Sequence, residues 1–252
     1  MRTKWLLSLL FLSVFLISVV FHMPIAWLIQ YLPQNSHLAI QGSSGTVWHG
    51  KAEHVLLQQY DLGELQWKFE PVELLSGGAA FSTRFGRGSS VEWDGKGLVG
   101  YNLDGLYAKD LLASIKADRL MKHLKLPLPV HVEGVLELTL NEYQFSAPWC
   151  EIAQGELVWF DAQLNTALGA VNLDQAIAAL ECHQNTLTLQ SVQDSSALSS
   201  EFSVELHPDA TYKISGWIKP GDELPSKVRA QLKWLGSSNT QGQYKLNYTG
   251  QL

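Results

Sequence analysis

Charge is scarce in this chain. Asp, Glu, Lys and Arg together make up 17% of 252 residues, below the quarter or so of an ordinary soluble domain. No block of Lys and Arg stands out, and a net charge of −6 excludes a nucleic-acid surface, which needs a basic footprint. Cysteine is nearly absent too. Only Cys150 and Cys182 occur, and neither lies in a C-x-x-C, which removes thiol redox chemistry. Catalytic motifs are equally missing. GSSG at 42–45 falls short of G-x-S-x-G and has no strand-to-helix context. The glycines of GRGSS at 86–90 open no helix that would cradle a phosphate. His49 and His54 stand five positions apart in an extended stretch, so they face opposite sides of a sheet and cannot clasp one metal. The acidic residues are scattered over wet strand faces. No catalytic, cofactor-binding or metal-ligating residue is nominated, and the chain reads as non-enzymatic.

What is present begins at the N-terminus. MRTKWLLSLLFLSVFLISVVFHMPIAWL sets Arg2 and Lys4 ahead of an apolar run from Trp5 to Phe21, and apolar residues resume at Ile25. With that extension the run is long enough for a hydrocarbon layer of ~30 Å. The basic flank stays in the cytoplasm, and everything after His22 lies outside. A cleaved signal peptide is the rival reading, but VVFHMP offers no small-x-small cleavage site. The expected division is a cytoplasmic tip at 1–4, a transmembrane anchor at 5–28, a linker at 29–40 and a β-rich domain at 41–252. Pro24 to Pro33 reads as a short amphipathic helix leaving the membrane. In an oxidising space an even cysteine count favours a Cys150–Cys182 disulfide.

Beyond the linker, period-two alternation dominates. In HVEGVLELTLNEYQF, Val132, Leu136, Leu138 and Leu140 alternate with polar residues. SEFSVELHP, TYKISGWIKP, VRAQLKWLG and QYKLNYTGQL follow the same rule, one dry face and one wet, the mark of an antiparallel sheet with one buried side. Gly77-Gly78, Asp94-Gly95, Pro127 to Pro129 and Pro220-Gly221-Asp222 punctuate the strands. Two segments read as short helices or loops that join or cover sheet edges: 108–126, with Leu111, Leu112, Ile115 and Leu120 near helical spacing, and 172–182, with Asp174 as N-cap. GELQW at 63–67 and GELVW at 155–159 are a weak internal echo. The domain therefore reads as one unit or as two related halves, about 41–130 and 131–252. The expected fold class is mainly β: an N-terminal transmembrane helix, then a curved antiparallel sheet, groove-like or sandwich-like, with one or two short helices.

Nine tryptophans are many for this length. Trp48, Trp67, Trp93, Trp159, Trp217 and Trp234 fall in strand-like stretches and admit two readings. They fill a core, as buried aromatics do, or they line an apolar face left open for a lipid chain or a partner's strand. Trp217 sits on the polar side of its segment, as an exposed contact point would.

Several landmarks together carry a family resemblance: the short basic start with a single anchor, GSSGTVWHGKA at 42–52, LGELQWKFEPVELLSG at 62–77, and two cysteines flanking GELVW, with Cys182 leading into TLTL. The most specific block is G-x-L-x-W-x-x-x-P-x-x-L-L-x-G, supplied by Gly63, Leu65, Trp67, Pro71, Leu74, Leu75 and Gly77. The chain resembles, over essentially its whole length, the protein N family of the bacterial type II secretion system. The resemblance implies a single-span inner-membrane protein with most of its mass in the periplasm. It also implies an accessory role in exporting folded proteins, other secretion subunits as partners, no cofactor and no catalytic residue. The family looks like a relative of larger envelope β-groove proteins that handle lipid, which makes a lipid-binding groove the alternative function.

Overall fold

The alternating stretches pair into strands almost without interruption. The computed structural model describes residues 2–31, 38–58, 60–124 and 130–251. His37 and the proline cluster at 127–129 lie outside the described residues, as does part of the expected linker. Helix α1 (Arg2–Phe21) is followed past Pro24 by α2 (Ile25–Tyr31). Five short strands come next: β1 (Leu38–Gln41), β2 (Ser44–Gly45), β3 (His49–Ala52), β4 (His54–Leu57) and β5 (Tyr60–Asp61). Longer ones begin with β6 (Glu64–Glu70), β7 (Ala79–Arg87), β8 (Trp93–Asn102) and β9 (Gly105–Lys116), after which α3 (Ala117–Leu124) intervenes. The chain continues through β10 (Val130–Gln144), β11 (Ile152–Thr166), β12 (Gly169–His183), β13 (Thr186–Asp194), β14 (Leu198–Leu206) and β15 (Thr211–Pro220). Helix α4 (Ser226–Gln231) and a 3-10 turn at Leu232–Leu235 precede β16 (Tyr244–Gln251).

β1, β4 and β5 make a small three-stranded sheet, and the remaining strands form one antiparallel sheet of 13. From β6 to β16 each strand pairs with its neighbour in sequence, so the large sheet is a plain meander. Because cross-strand partners share a face, the register aligns apolar residues in rows. Leu138 lies opposite Ala113 on one side and Leu157 on the other. The row runs on through Ala178, Phe202 and Gly216 to Leu246, with Ser191 its one polar member between Ala178 and Phe202. A parallel row joins Trp93, Ile115, Leu136, Trp159 and Ala176.

Among the described residues, no second sheet covers these rows. The largest fully buried side chains are the two cysteines, and most other buried apolar residues are alanines and valines. Leu138, Leu157, Phe202 and Leu246 are only partly buried, whereas the inner face of a sandwich would enclose them. The strands thus form one large layer and not a sandwich. Two small clusters close its apolar face near the strand ends. At one end α4, the segment before it and the start of the 3-10 turn after it bring Leu224, Val228 and Leu232 onto Ala162, Val171 and Leu173. At the other, the Cys150–Cys182 disulfide sits over Ala153 with Tyr143, Trp149 and Leu187 around it.

Three expectations are corrected here. Residues 105–116 are strand and only Ala117–Leu124 is helix, because Leu111, Ala113 and Ile115 pair with Leu140, Leu138 and Leu136, and pairing overrides a spacing that also fits a helix. Residues 172–182 belong to β12. Its alanines are there because Ala176 and Ala178 face the bulky Trp159 and Leu157, and Asp174 is a positive-φ residue at a bulge instead of an N-cap. VRAQLKWLG is helical, since Val228 and Leu232, four apart, reach one cluster together.

A bulge between β10 and β11 accommodates the sheet's twist. Gly134 there has φ +105°, and a Cβ would stand 2.3 Å from the carbonyl oxygen of Phe160. Gly134→Ala therefore meets backbone on one side and a disfavoured φ on the other. It should cost more than about 1 kcal/mol, visible as a lower melting temperature, whereas an unchanged melting temperature would mean that the bulge simply relaxes.

Candidate binding face and its junction with the N-terminal helix

Helix α1 is apolar on every described side: Leu6, Leu9, Phe11, Leu16, Val19 and Phe21 all stand exposed. Among the described residues, whose side chains in this helix run from Trp5 to Phe21, no helix is long and apolar enough to cross a membrane.

The end of α1 is tied to the sheet through Trp48. Its indole N–H donates to the Val20 carbonyl at 2.8 Å, and its ring lies 6.0 Å from Phe21. The backbone follows suit, with Val47 N–H donating to Met23 O at 3.1 Å and Pro24 bridged to Thr46. From Trp48 a file of rings enters the apolar face: Phe69 at 4.9 Å, then Phe81 at 5.4 Å beyond it, both edge-on. Edge-to-face contacts of this kind each add about 0.5–1.5 kcal/mol beyond area burial. Trp67 stands beside the file and donates its indole N–H to Val47 O at 3.1 Å.

Between α2 and the sheet lies a recess of about 330 Å³. Ile25, Leu28 and Ile29 line it from α2, and Leu65, Trp67 and Phe81 from the sheet. Thr83 supplies its only side-chain hydroxyl, which donates to Gly97 O at 3.0 Å. The recess opens onto the apolar rows, since Leu65 faces Phe85, and Phe85 faces Gly95 and then Ala113.

The remaining tryptophans separate by face. Trp93 lies tilted against Phe85 at 4.8 Å between ring centroids and donates to Leu62 O; Trp159 donates to Glu133 O at 2.9 Å. Both belong to the apolar rows, along with Trp67. Trp217 is on the opposite face, facing Glu201 and Lys245, and donates to the Glu201 carboxylate at 3.2 Å. Trp234 projects from the 3-10 turn and is 85% exposed. The six therefore do not converge on one site. Trp217→Ala should leave stability within about 1 kcal/mol, because the side chain belongs to neither buried cluster. A loss comparable to a core tryptophan would contradict that placement.

Sequence reasoning missed Trp149 as a structural clamp. Trp149 donates its indole N–H to His207 O at 3.1 Å, and its backbone N–H and that of Cys150 both donate to Asn185 Oδ1. The Tyr143 hydroxyl donates to Trp149 O at 2.7 Å, and burial pushes its pKa up, so it stays a donor. Phe21, Phe69 and Phe81 were missed as a file because their alignment arises only from pairing. His54 binds Asp61 at 2.8 Å and is on a different strand and sheet from His49.

Comparison with known proteins sets this geometry in context. A family model described as type II secretion system (T2SS), protein N, matches residues 36–247. A protein of Vibrio cholerae serotype O1 is 39% identical over 245 residues, 97% of both chains. One of Aeromonas hydrophila is 30% identical over 255 residues, covering both chains fully. A third, of Pectobacterium carotovorum, is 25% identical over 90% of this chain and 89% of its own. Each of the three bears the name type II secretion system protein N. No solved structure matches the chain. On the extent of these matches, the chain belongs to the type II secretion system protein N family.

Proposed function

We propose that the chain is a non-enzymatic accessory component of the type II secretion machinery, anchored in the inner membrane and binding partner subunits through the uncovered apolar face of its sheet. The observation that carries this reading is the set of apolar rows from β8 to β16, with no second layer over them among the described residues. A continuous apolar surface of that extent on a soluble domain marks a binding site. Secretion subunits are the natural partners for a member of this family.

The anchor belongs to the same proposal. Support comes from the all-round apolarity of α1, a pattern that suits a membrane and not a surface helix. The basic residues Arg2 and Lys4 before it orient the β domain, taken as 41–252, toward the periplasm. The Cys150–Cys182 bridge fits that oxidising side. In this scheme residues 5–28 make the anchor, with α1 in the hydrocarbon and the start of α2 at its outer interface, and 29–40 lead on to the β domain. A second reading, lipid in place of a protein partner on the apolar face, is favoured by one observation, the predominantly apolar recess at its α2 end.

The test uses the full chain expressed in a secreting cell. Resistance to alkaline extraction, protease access to the β domain only from the periplasmic side, and co-isolation with secretion subunits after gentle solubilisation are expected. A chain that is released by alkali and isolates alone would overturn the proposal.

A further inference from the structure

The recess under α2 is built differently from the rest of the apolar face. It has a roof as well as a floor, and at about 330 Å³ it reaches the lower end of the range for ligand pockets, roughly 300–1,000 Å³. Polar groups in its wall have partners elsewhere: Thr83 Oγ1 donates to Gly97 O, and the Trp67 N–H is turned to Val47 O. A ligand that needs hydrogen bonds would find none. An apolar chain loses nothing on entering.

Its position selects the source of that chain. The roof, α2, follows α1 after a break of only His22, Met23 and Pro24. The end of α1 is fastened to the sheet beside the recess by the Trp48–Val20 and Val47–Met23 hydrogen bonds. The file Phe21, Trp48, Phe69, Phe81 leads from that end to the recess wall, to which Phe81 belongs. With α1 in a bilayer, this geometry holds the recess against the layer's outer surface. Trp27 of α2, 61% exposed, is then placed at the interface, where tryptophan is favoured. We infer that the recess holds one acyl chain of a phospholipid from that bilayer, inserted between α2 and the strands β6, β7 and β8. The inference rests on the anchor reading and on lipid as an occupant of the apolar face. It adds a discrete site and a point of entry.

The experiment uses the full chain in vesicles of phosphatidylethanolamine and phosphatidylglycerol, doped with a phospholipid carrying a photoactivatable diazirine near the end of one acyl chain. Adducts are mapped by mass spectrometry. They are expected on Ile25–Tyr31 and on residues 65–81, at about one lipid per chain. Leu28→Asp puts a charge in the roof without touching the sheet, and should lower adducts at these positions at least five-fold. Val99→Trp fills the floor and should do the same. Should Val99→Trp fail to fold, Leu28→Asp remains decisive. Trp234→Ala, far out on the 3-10 turn, should change nothing. Unchanged adducts at the recess in Leu28→Asp, or adducts confined to α1, would overturn the site. Alkaline extraction of the same samples separates the outcomes: a chain that resists it while its recess stays unlabelled loses the site and keeps the anchor, whereas a chain released by alkali loses both.

Discussion

Replacing Cys150 and Cys182 together by alanine is expected to lower the unfolding free energy by about 3–4 kcal/mol, the chain-entropy value for a loop of this size. The bridge closes a sequence separation of 32 residues, and its two cysteines are the largest fully buried side chains among the described residues. The effect should also be local. Cys150 lies in the connection from β10 to β11, where Asn185 accepts from two successive backbone N–H groups and Trp149 reaches across to His207 O. Without the bridge that connection loosens, and the end of the apolar face formed by Ala153, Leu180 and Leu187 loses its cover. Thermal melts with and without reductant measure the effect on the native chain: reductant should lower the melting temperature as the double substitution does, and leave the double variant unmoved. Equal melting of oxidised and reduced protein would show that the fold does not depend on the bridge.

Trp67→Ala comes next, at about 3 kcal/mol, near the lower bound for removing an aromatic from packed surroundings, because the side chain is only partly buried. The indole does three things that alanine cannot. It walls the recess, it donates to Val47 O, and its six-membered ring lies so close to Gly50 that a Cβ there would stand 2.5 Å from it. Losing it leaves the Val47 carbonyl without that donor and opens a void under α2. Trp67→Phe keeps the hydrophobic wall and loses the hydrogen bond, so it should recover more than half of the stability. Denaturant unfolding of the wild type and both variants gives the comparison. A near-neutral Trp67→Ala with impaired secretion would recast the residue as a contact and not a wall.

How much of this was legible beforehand follows from the physics of each element. The strands of TYKISGWIKP and HVEGVLELTLNEYQF could be read because a half-buried sheet forces a period of two on the sequence. Residues 108–116 and 172–182 misled for a specific reason. Leu111, Leu112 and Ile115 satisfy both periods, and an alanine-rich strand looks helical until the Trp159 and Leu157 opposite it are known. VRAQLKWLG failed in the other direction, since its alternation is also an i, i+4 pair, Val228 and Leu232, that meets Leu224 in space. Of the six tryptophans, composition could nominate all of them, but only pairing separates Trp67, Trp93 and Trp159 on the apolar face from Trp217 on the other. The recess was invisible altogether. Its walls come from α2 and from strands dozens of residues away, and nothing local in Ile25-Ala26-Trp27-Leu28 announces which face will meet them.

Site-directed photocrosslinking in intact secreting cells tests the central claim most directly. A photoreactive residue is placed at Leu138, Leu157 or Phe202 on the apolar face, and at Glu137, Gln190 or Lys213 on the other. Adducts with secretion subunits or lipid from the first three and few from the second three are the expected result. Adducts only from the second three, with the first three silent, would mean that the apolar face is closed in the cell and that binding happens elsewhere.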